Sequence, residues 1–244
     1  MRKKVRAIKR ERVSDKSVDA ALKKYFDAAV RGEKRTHQSN LEPFAEYERQ
    51  LREKMTHAFR FFQRSFSNGY RVLVTELHIQ AVKIDPEKLK IFDDPKALIK
   101  ALEAGNSIYQ LLGFTEDTLN AFYKVARQLI ETRAFAKARD VCYFLTIIAP
   151  EISQFWICLG RCDVALGSFD TAMHLFLKAI DVDPTDPLAY LDAINLLVQM
   201  HDYQRAINLC NAAIRFAKDH TAASWSKQLR DSLEHKLKQI FALF

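Results

Sequence analysis

The chain is poor in glycine and proline, each of which occurs only 6 times in 244 residues. This scarcity excludes a collagen-like or low-complexity chain, because both need far more of these residues. Long hydrophobic runs are missing too. No stretch of about 18 apolar residues occurs, so no transmembrane helix is expected. The N-terminal segment has no apolar core like that of a signal peptide, and the sequence therefore predicts a cytosolic protein.

Cysteine is also scarce, with 4 residues. Cys158 and Cys162 stand four residues apart, a spacing that can place two metal ligands on one helical face. No histidine has ligand spacing beside them, so we interpret them as small core residues. Cys142 and Cys210 occupy equivalent repeat positions that lie too far apart to pair. Neither a metal nor another cofactor is expected.

Motifs of known catalytic sites are absent. The sequence has no glycine-rich phosphate loop, no Gly-x-Ser-x-Gly elbow and no His-Glu-x-x-His pair. Most carboxylates fall on the polar faces of predicted helices, where they are ordinary solvated groups. The sequence therefore predicts that the protein is not an enzyme.

What the sequence does contain is a repeat of 34 residues. Alanine recurs at this interval, at Ala138, Ala172 and Ala206. Aromatic residues repeat in step with it, at Phe122, Trp156 and Tyr190 and again at Phe135, Phe169 and Tyr203. This period is typical of tetratricopeptide repeats, each a pair of antiparallel helices A and B. The sequence predicts an all-α fold: a superhelix of three such repeats with a C-terminal capping helix and an N-terminal helical extension.

Local signals predict where the repeat helices begin and end. Thr115 is the predicted N-cap of the first A helix, and Asp186, followed by proline, that of the third. The turn between helices A and B needs a left-handed residue, for which repeat two has Gly167 and the others have Arg133 and His201. Residues 224–244 carry an apolar stripe that is predicted to cover the last repeat, formed by Leu229, Leu233, Leu237, Ile240 and Phe241.

Positive charge is concentrated at one end of the chain. Residues 1–36 contain 13 Lys/Arg and 5 Asp/Glu, a net charge of +8, whereas the other 208 residues balance at 25 of each sign. We predict a basic, partly disordered arm at 1–40, a helical extension at 41–92 and a tetratricopeptide domain at 93–244. A basic arm suits nucleic acid, an acidic protein or an anionic membrane, but we interpret it first as a solvated tail.

The extension begins with an aromatic stripe. Seven apolar residues at steps of three and four predict one face of a helix: Phe44, Tyr47, Leu51, Met55, Phe59, Phe62 and Phe66. We predict that Asn68 and Gly69 end this helix and that a short helix after Pro95 ends at Gly105. Residues 70–84 suit either a second helix or a strand, and we interpret them as a helix because little else in the sequence could supply a partner strand. The stripe is expected to fold back on the repeats or to pair with a second subunit.

The A helices supply a predicted binding groove. Their concave positions are mostly apolar with two arginines, which suits an extended segment with hydrophobic anchors and some carboxylates or carbonyls. These positions are Asn120, Tyr123, Arg127 and Ile130 in repeat one, Gln154, Ile157, Arg161 and Val164 in repeat two, and Leu188, Leu191, Asn195 and Val198 in repeat three. Tyr123 and Arg127 replace the Lys and Asn with which heat-shock co-chaperones hold a terminal carboxylate, so that mode is not expected.

The entry into the repeats resembles a known family. Residues 102–108 (LEAGNSI) and 114–126 (FTEDTLNAFYKVA) form a short helix, a glycine turn and a Thr-capped helix. The likeness continues through residues 135–138 and 155–169, and it covers about residues 94–240. In this combination the chain resembles the class II type III secretion chaperones, the translocator chaperones of the SycD/LcrH type.

The resemblance implies a cytoplasmic bacterial chaperone that clamps an extended segment of a secreted translocator or effector protein in the groove. It implies that Tyr123 and Ile130 stand at groove tyrosine positions and that Phe135 matches a further aromatic. Ile130 and Arg127 depart from the aromatic residues usual there. Family members often dimerise through the N-terminal region, so the resemblance points to a homodimer through the aromatic stripe. It implies neither nucleic-acid binding nor membrane insertion.

Two other functions stay open. One is a tetratricopeptide scaffold or adaptor whose arm binds nucleic acid or an acidic partner. Nucleic-acid binding usually needs aromatic residues among the basic ones, and the arm has only Tyr25 and Phe26, which weakens this alternative. The other is a structural adaptor of the secretion apparatus, with its groove filled permanently by a partner subunit.

Overall fold

The structure, a computed structural model, describes residues 44–77, 84, 86–93, 95–219 and 227–242. Every regular element in these residues is helical, and the predicted all-α fold is confirmed. The helices are α1 (Phe44–Leu77), α2 (Pro86–Leu89), α3 (Pro95–Glu103), α4 (Ile108–Leu111), α5 (Glu116–Glu131), α6 (Phe135–Ile148), α7 (Ser153–Ala165), α8 (Phe169–Val182), α9 (Pro187–Gln199), α10 (Tyr203–Asp219) and α11 (Lys227–Phe241), with a 3-10 helix at Lys90–Asp93. The basic arm lies outside the described residues.

The chain divides into two compact units, Met1–Arg64 and Ser65–Phe244. In the first unit the described residues belong to the N-terminal part of α1. The second unit holds the end of α1 and all the remaining helices. The domain boundaries expected near residues 40 and 92 stay predictions.

The three predicted repeats are the helix pairs α5–α6, α7–α8 and α9–α10. Ala138, Ala172 and Ala206 are fully buried in the second helix of each pair, where a small side chain allows close helix packing. Gly160 serves the same purpose within repeat two, because a Cβ atom there would lie 2.5 Å from Cε1 of Phe176. These small residues explain the alanine and glycine positions of the 34-residue pattern.

The turns between helices A and B have one backbone geometry, repeated three times. Arg133, Gly167 and His201 have positive φ angles of 59°, 78° and 59°. In each turn the next N–H reaches back to the carbonyl of the last helical turn, as from Ala134 N to Leu129 O at 2.8 Å. Together with the bond from Arg133 N to Ile130 O at 2.9 Å, this bond forms the Schellman motif, which needs a left-handed residue. The prediction for these turns is confirmed, although two of them use residues other than glycine.

The predicted end of the aromatic helix at Asn68 and Gly69 is wrong, because α1 continues unbroken to Leu77. Gly69 is instead the point at which α1 crosses α6. A Cβ atom at residue 69 would lie 2.3 Å from the carbonyl oxygen of Asp140 and 2.5 Å from Cβ of Phe144. Glycine is needed here for close approach to another helix, which a sequence pattern cannot distinguish from a helix stop.

The capping helix α11 packs on repeat three, as predicted. Leu233 and Ile240 are buried in the same core as the helices of that repeat, and Leu237 is half-buried against it. Phe241 is 55% exposed, so it does not belong to the covering face, and the side chain of Leu229 lies outside the described residues. Phe241 lies at the last residue of the helix, one position past Ile240, where the side chain turns away from the core.

Candidate functional site

Three helices, α5, α7 and α9, lie side by side and form what we call the A layer. The rings of Tyr123 on α5 and Phe155 on α7 lie 5.6 Å apart between their centroids. Between α7 and α9, the Arg161 Nε atom lies 2.6 Å from Asp192 Oδ2. Each repeat thus contributes its first helix to one continuous surface, the side that repeat arrays commonly use to bind extended partners.

The predicted groove residues differ in how open they are. Those exposed to solvent are Asn120, Arg127, Gln154, Arg161, Leu188 and Asn195. Those half-buried are Tyr123, Ile130, Phe135, Val164, Leu191 and Val198. Ile157 is only 3% exposed and lies in the core that holds repeat two against repeat three, so it is a packing residue. The half-buried apolar members keep part of their surface open.

Three of the exposed polar residues already have partners within the chain. Arg161 is paired with Asp192. Gln154 Nε2 donates to Asp186 Oδ2 at 3.5 Å, and Asn195 Oδ1 accepts a hydrogen bond from Lys236 Nζ on the capping helix. The repeat pattern missed Asp192 and Lys236, because Asp192 is not one of the concave positions of α9 and the pattern does not extend to α11.

Asp186 joins repeats two and three at one end of the A layer. Its Oδ1 atom accepts from the backbone N–H of Leu188 at 3.0 Å, which caps α9, and its Oδ2 atom accepts from Ser153 Oγ at 3.1 Å. The predicted caps of α5 and α9 are both present, since Thr115 Oγ1 also accepts from the backbone N–H of Thr118 at 3.3 Å. These contacts fix how the first helices of neighbouring repeats are aligned.

A small cavity of about 140 Å³ opens between α7 and α9. Its lining includes the predicted groove residues Arg161, Val164 and Asn195, with Phe176 and Leu196 as the apolar floor. A cavity of about 150 Å³ can hold a benzene molecule, so this one has room for a single apolar side chain. The ion pair of Arg161 lies at its rim.

Burial controls the electrostatics of the A layer. It raises the pKa of Tyr123, outweighing the two arginines, Arg127 and Arg161, that lower it. Burial also raises the pKa of Asp192, although the hydrogen bond from Arg161 opposes this. The pKa of Arg161 is lowered by burial but raised more by Asp192, so it ends above its ordinary value. The tyrosine hydroxyl therefore stays protonated and the guanidinium stays charged at neutral pH.

Three cysteine thiols meet beneath the layer, which the sequence did not indicate. Cys142 of α6 and Cys158 and Cys162 of α7 interact through their thiols. The Cys142 and Cys162 thiols lower the pKa of Cys158 to about 5, while burial raises that of Cys142. All four cysteines are buried and free. Among the described residues, no group of three or more His, Cys, Asp or Glu side chains is arranged to hold a metal ion.

The end of α1 packs on the opposite side of repeat one from the A layer. Phe66 and Tyr70 contact Phe144 of α6, with ring centroids 4.8 and 6.2 Å apart. Because α6 is the second helix of its repeat, these contacts leave the surface of α5 open. The described part of α1 in this unit therefore does not fill the predicted groove.

Comparisons with known proteins agree with this architecture. The tetratricopeptide repeat family matches residues 163–228. The low calcium response locus protein H of Yersinia pestis is 26% identical over 110 residues, which are 45% of this chain and 66% of that protein, just under two thirds of its length. Among solved structures, a T3SS complex from Aeromonas hydrophila has a TM-score of 0.53 at 20% identity, covering 60% of this chain and 96% of the other.

A second solved structure names the class. The type III secretion translocator chaperone SycD of Yersinia enterocolitica has a TM-score of 0.50 at 22% identity, covering 55% of this chain and 98% of its own. The chain has the fold of the type III secretion translocator chaperones. The resemblance to this class that residues 94–240 predicted is confirmed. No helix within the described part of the chain is both long and apolar enough to span a bilayer.

Proposed function

We propose that the chain is a type III secretion chaperone that holds an extended segment of a secreted translocator or effector protein along the A layer. The observation that carries the proposal is the open apolar surface of this layer. Tyr123, Leu191 and Val198 are half-buried and Leu188 is 45% exposed, so apolar area stays available on α5 and α9. The likeness in sequence and fold to the SycD class supports the same function.

Holding a client needs no chemical reaction. Each apolar side chain of the client that is fully buried against the layer contributes about 1.5–3 kcal/mol, and the cavity beside Arg161 offers one such position. A few anchors suffice to keep a segment bound without nucleotide hydrolysis. We therefore propose a non-enzymatic protein without cofactor that acts in the bacterial cytoplasm before export. Contact of the predicted groove residues with the client, except for the buried Ile157, is part of this proposal.

A double change on the A layer tests the groove. Tyr123→Glu with Leu191→Glu places two charges on the open apolar surface, and we expect it to abolish co-purification of a secreted partner from the native host. The helical thermal melt followed by circular dichroism should stay cooperative. Leu177→Glu is the matched control, because Leu177 is 43% exposed on α8, a second helix of its repeat. Partner binding that survives the double change but not the control would contradict the proposal.

Two neighbouring functions predict other outcomes of the same experiments. A permanent adaptor of the secretion apparatus would recover one apparatus component in tight one-to-one ratio instead of exported proteins. A scaffold that uses the basic arm would bind RNA or an acidic protein in a salt-sensitive manner, and deletion of residues 1–36, with net charge +8, would remove that binding. The homodimer through the aromatic stripe stays a prediction, which sedimentation of the full chain checks.

A further inference from the structure

One arginine of the A layer has no ion-pair partner in the described part of the chain. Arg127 is exposed on α5, and no carboxylate of the described residues forms an ion pair with it. The other arginine of the layer, Arg161, is neutralised by Asp192 at 2.6 Å. The single carboxylate of α7, that of Asp163, is buried beside Arg139. The guanidinium of Arg127 is therefore exposed and not paired with a carboxylate of the described chain.

This charge lies next to the aromatic part of the layer. Arg127 follows Tyr123 by four residues, so the two side chains lie one turn apart on the same face of α5. The ring of Tyr123 packs against Phe155, and its hydroxyl lies within the electrostatic range of both arginines. Phe155 is only 4% exposed, so a client side chain can pack on the half-buried Tyr123 ring, which places its neighbours beside the Arg127 guanidinium.

We propose that the client segment carries an aspartate or glutamate that pairs with Arg127, one or two residues from an apolar side chain that packs on Tyr123. The spacing follows from geometry: one helical turn rises about 5.4 Å, and an extended chain advances about 3.3 Å per residue. The inference rests on the proposed function, because it concerns the segment held in the groove. The acidic residue would distinguish the client of this chain from other segments that have only apolar anchors.

The physical basis is charge complementarity at a partly covered site. A guanidinium pairs with a carboxylate through two parallel hydrogen bonds, and a bound segment shields such a pair from water. A lysine at the same place would be repelled. Opposed charges of this kind contribute more to the choice of partner than to total affinity. A preference for acid, not a large gain in binding, is therefore the expected signature.

The basic arm is a competing source of acid preference, since residues 1–36 would attract acidic peptides wherever they bind. A matched pair of variants in the full chain separates the two sources. Arg127→Gln removes the cation of the A layer, and Lys137→Gln removes an exposed cation of α6, outside that layer. Both lower the net charge by one and leave the arm intact.

The experiment selects peptides from a random displayed library on the wild type, on both variants and on Arg127→Glu. Peptides enriched by the wild type and by Lys137→Gln should combine an apolar residue with Asp or Glu one or two positions away. Arg127→Gln should keep the apolar residue and lose the acid, and Arg127→Glu should favour Lys or Arg. A selected peptide and its Asp→Asn version should then differ about three- to tenfold in Kd on the wild type, and not on Arg127→Gln.

The outcomes distinguish this inference from the function on which it rests. Apolar enrichment without acid, or acid enrichment that survives in Arg127→Gln, would overturn the inference and leave the groove standing. Every enriched peptide should fail to bind the Tyr123→Glu, Leu191→Glu double variant. If none does, or if no peptide is enriched at all, both the groove and the inference are wrong. A Kd ratio near one for the Asp and Asn versions on the wild type would also overturn the inference.

Discussion

The α-carbon of Gly69 on α1 faces the carbonyl oxygen of Asp140 on α6 so closely that a Cβ atom would lie 2.3 Å from it. The obstacle is backbone, which cannot rotate away as a flexible side chain would. The buried side chain of Leu73 follows one turn later and packs in the core of repeat one. This crossing fixes the end of α1 on the repeat array.

We expect Gly69→Ala to destabilise the protein. Alanine favours a helix over glycine by about 1 kcal/mol, but the clash forces the two helices apart at a cost of about 1–3 kcal/mol. Urea unfolding followed by circular dichroism measures the difference. Ser67→Ala is the control, because Ser67 is exposed on the same helix and gains propensity without a clash. A Gly69→Ala protein as stable as Ser67→Ala would show that the crossing is loose.

The same crossing illustrates what a sequence can and cannot predict. The 34-residue spacing of Ala138, Ala172 and Ala206 predicted the repeats, because each repeat packs by the same local rule. Gly69 was wrongly interpreted as a helix end, because glycine is needed there for close contact with α6, a helix distant in the sequence. Ile157 was assigned to the groove for a related reason: the pattern gives the face of a residue but not how closely the next helix approaches it.

The sequence predicted which positions form the candidate site, but not which of their side chains are paired with residues of other helices. The A-layer positions follow from repeat numbering alone, and most of them are exposed or half-buried. The partners of Arg161 and Asn195 come from α9 and α11, so only the packed structure shows that these side chains are engaged and that Arg127 is not. Charge balance on a surface depends on distances between helices, which periodicity does not contain.

Arg133 and His201 hold left-handed backbone conformations that glycine would adopt more easily. An L-residue pays about 1 kcal/mol there, so we expect Arg133→Gly to raise the free energy of unfolding by roughly 0.5–1 kcal/mol. His201→Gly should gain less, because it loses the contact of His201 Nδ1 with the Tyr203 hydroxyl at 2.8 Å. Thermal and urea unfolding measure both changes. Gly167→Ala is the reverse control and should destabilise; a loss of stability in Arg133→Gly would contradict the argument.

The cysteines should be unreactive in the folded protein in spite of the low pKa of Cys158. Hydrogen bonds from the Cys142 and Cys162 thiols lower the pKa of Cys158 to about 5, but Cys158 is 3% exposed, and Cys142, Cys162 and Cys210 are fully buried. Thiol reagents need access as well as a thiolate. We expect no fast reaction with Ellman's reagent in native buffer and four thiols in guanidinium. Leu166→Cys, at a position that is 44% exposed, should add one thiol that reacts fast in native buffer. Fast labelling of the unchanged protein in native buffer would contradict the prediction and show that α6 and α7 open readily.

The ion pair of Arg139 and Asp163 should make stability depend on pH in a specific way. Arg139 Nε lies 2.6 Å from Asp163 Oδ1, although its N–H is not aligned with that oxygen, so charge holds the pair more than a hydrogen bond does. Asp163 is 1% exposed, and burial raises its pKa against the opposing effect of Arg139. Arg139→Gln should therefore raise that pKa further in the folded state.

The cost of Arg139→Gln should be full only where Asp163 is charged. Above the raised pKa of the variant we expect a loss of about 1–2 kcal/mol, reduced from the value for a fully buried pair because Arg139 is 39% exposed. As the pH falls towards the ordinary aspartate pKa of about 3.9, the carboxyl becomes protonated in both proteins and the difference should vanish. Urea unfolding at a series of pH values measures this. Arg205→Gln, which breaks an exposed pair with Asp202, should cost less than about 1 kcal/mol; a cost of Arg139→Gln that grows on acidification would contradict the assignment.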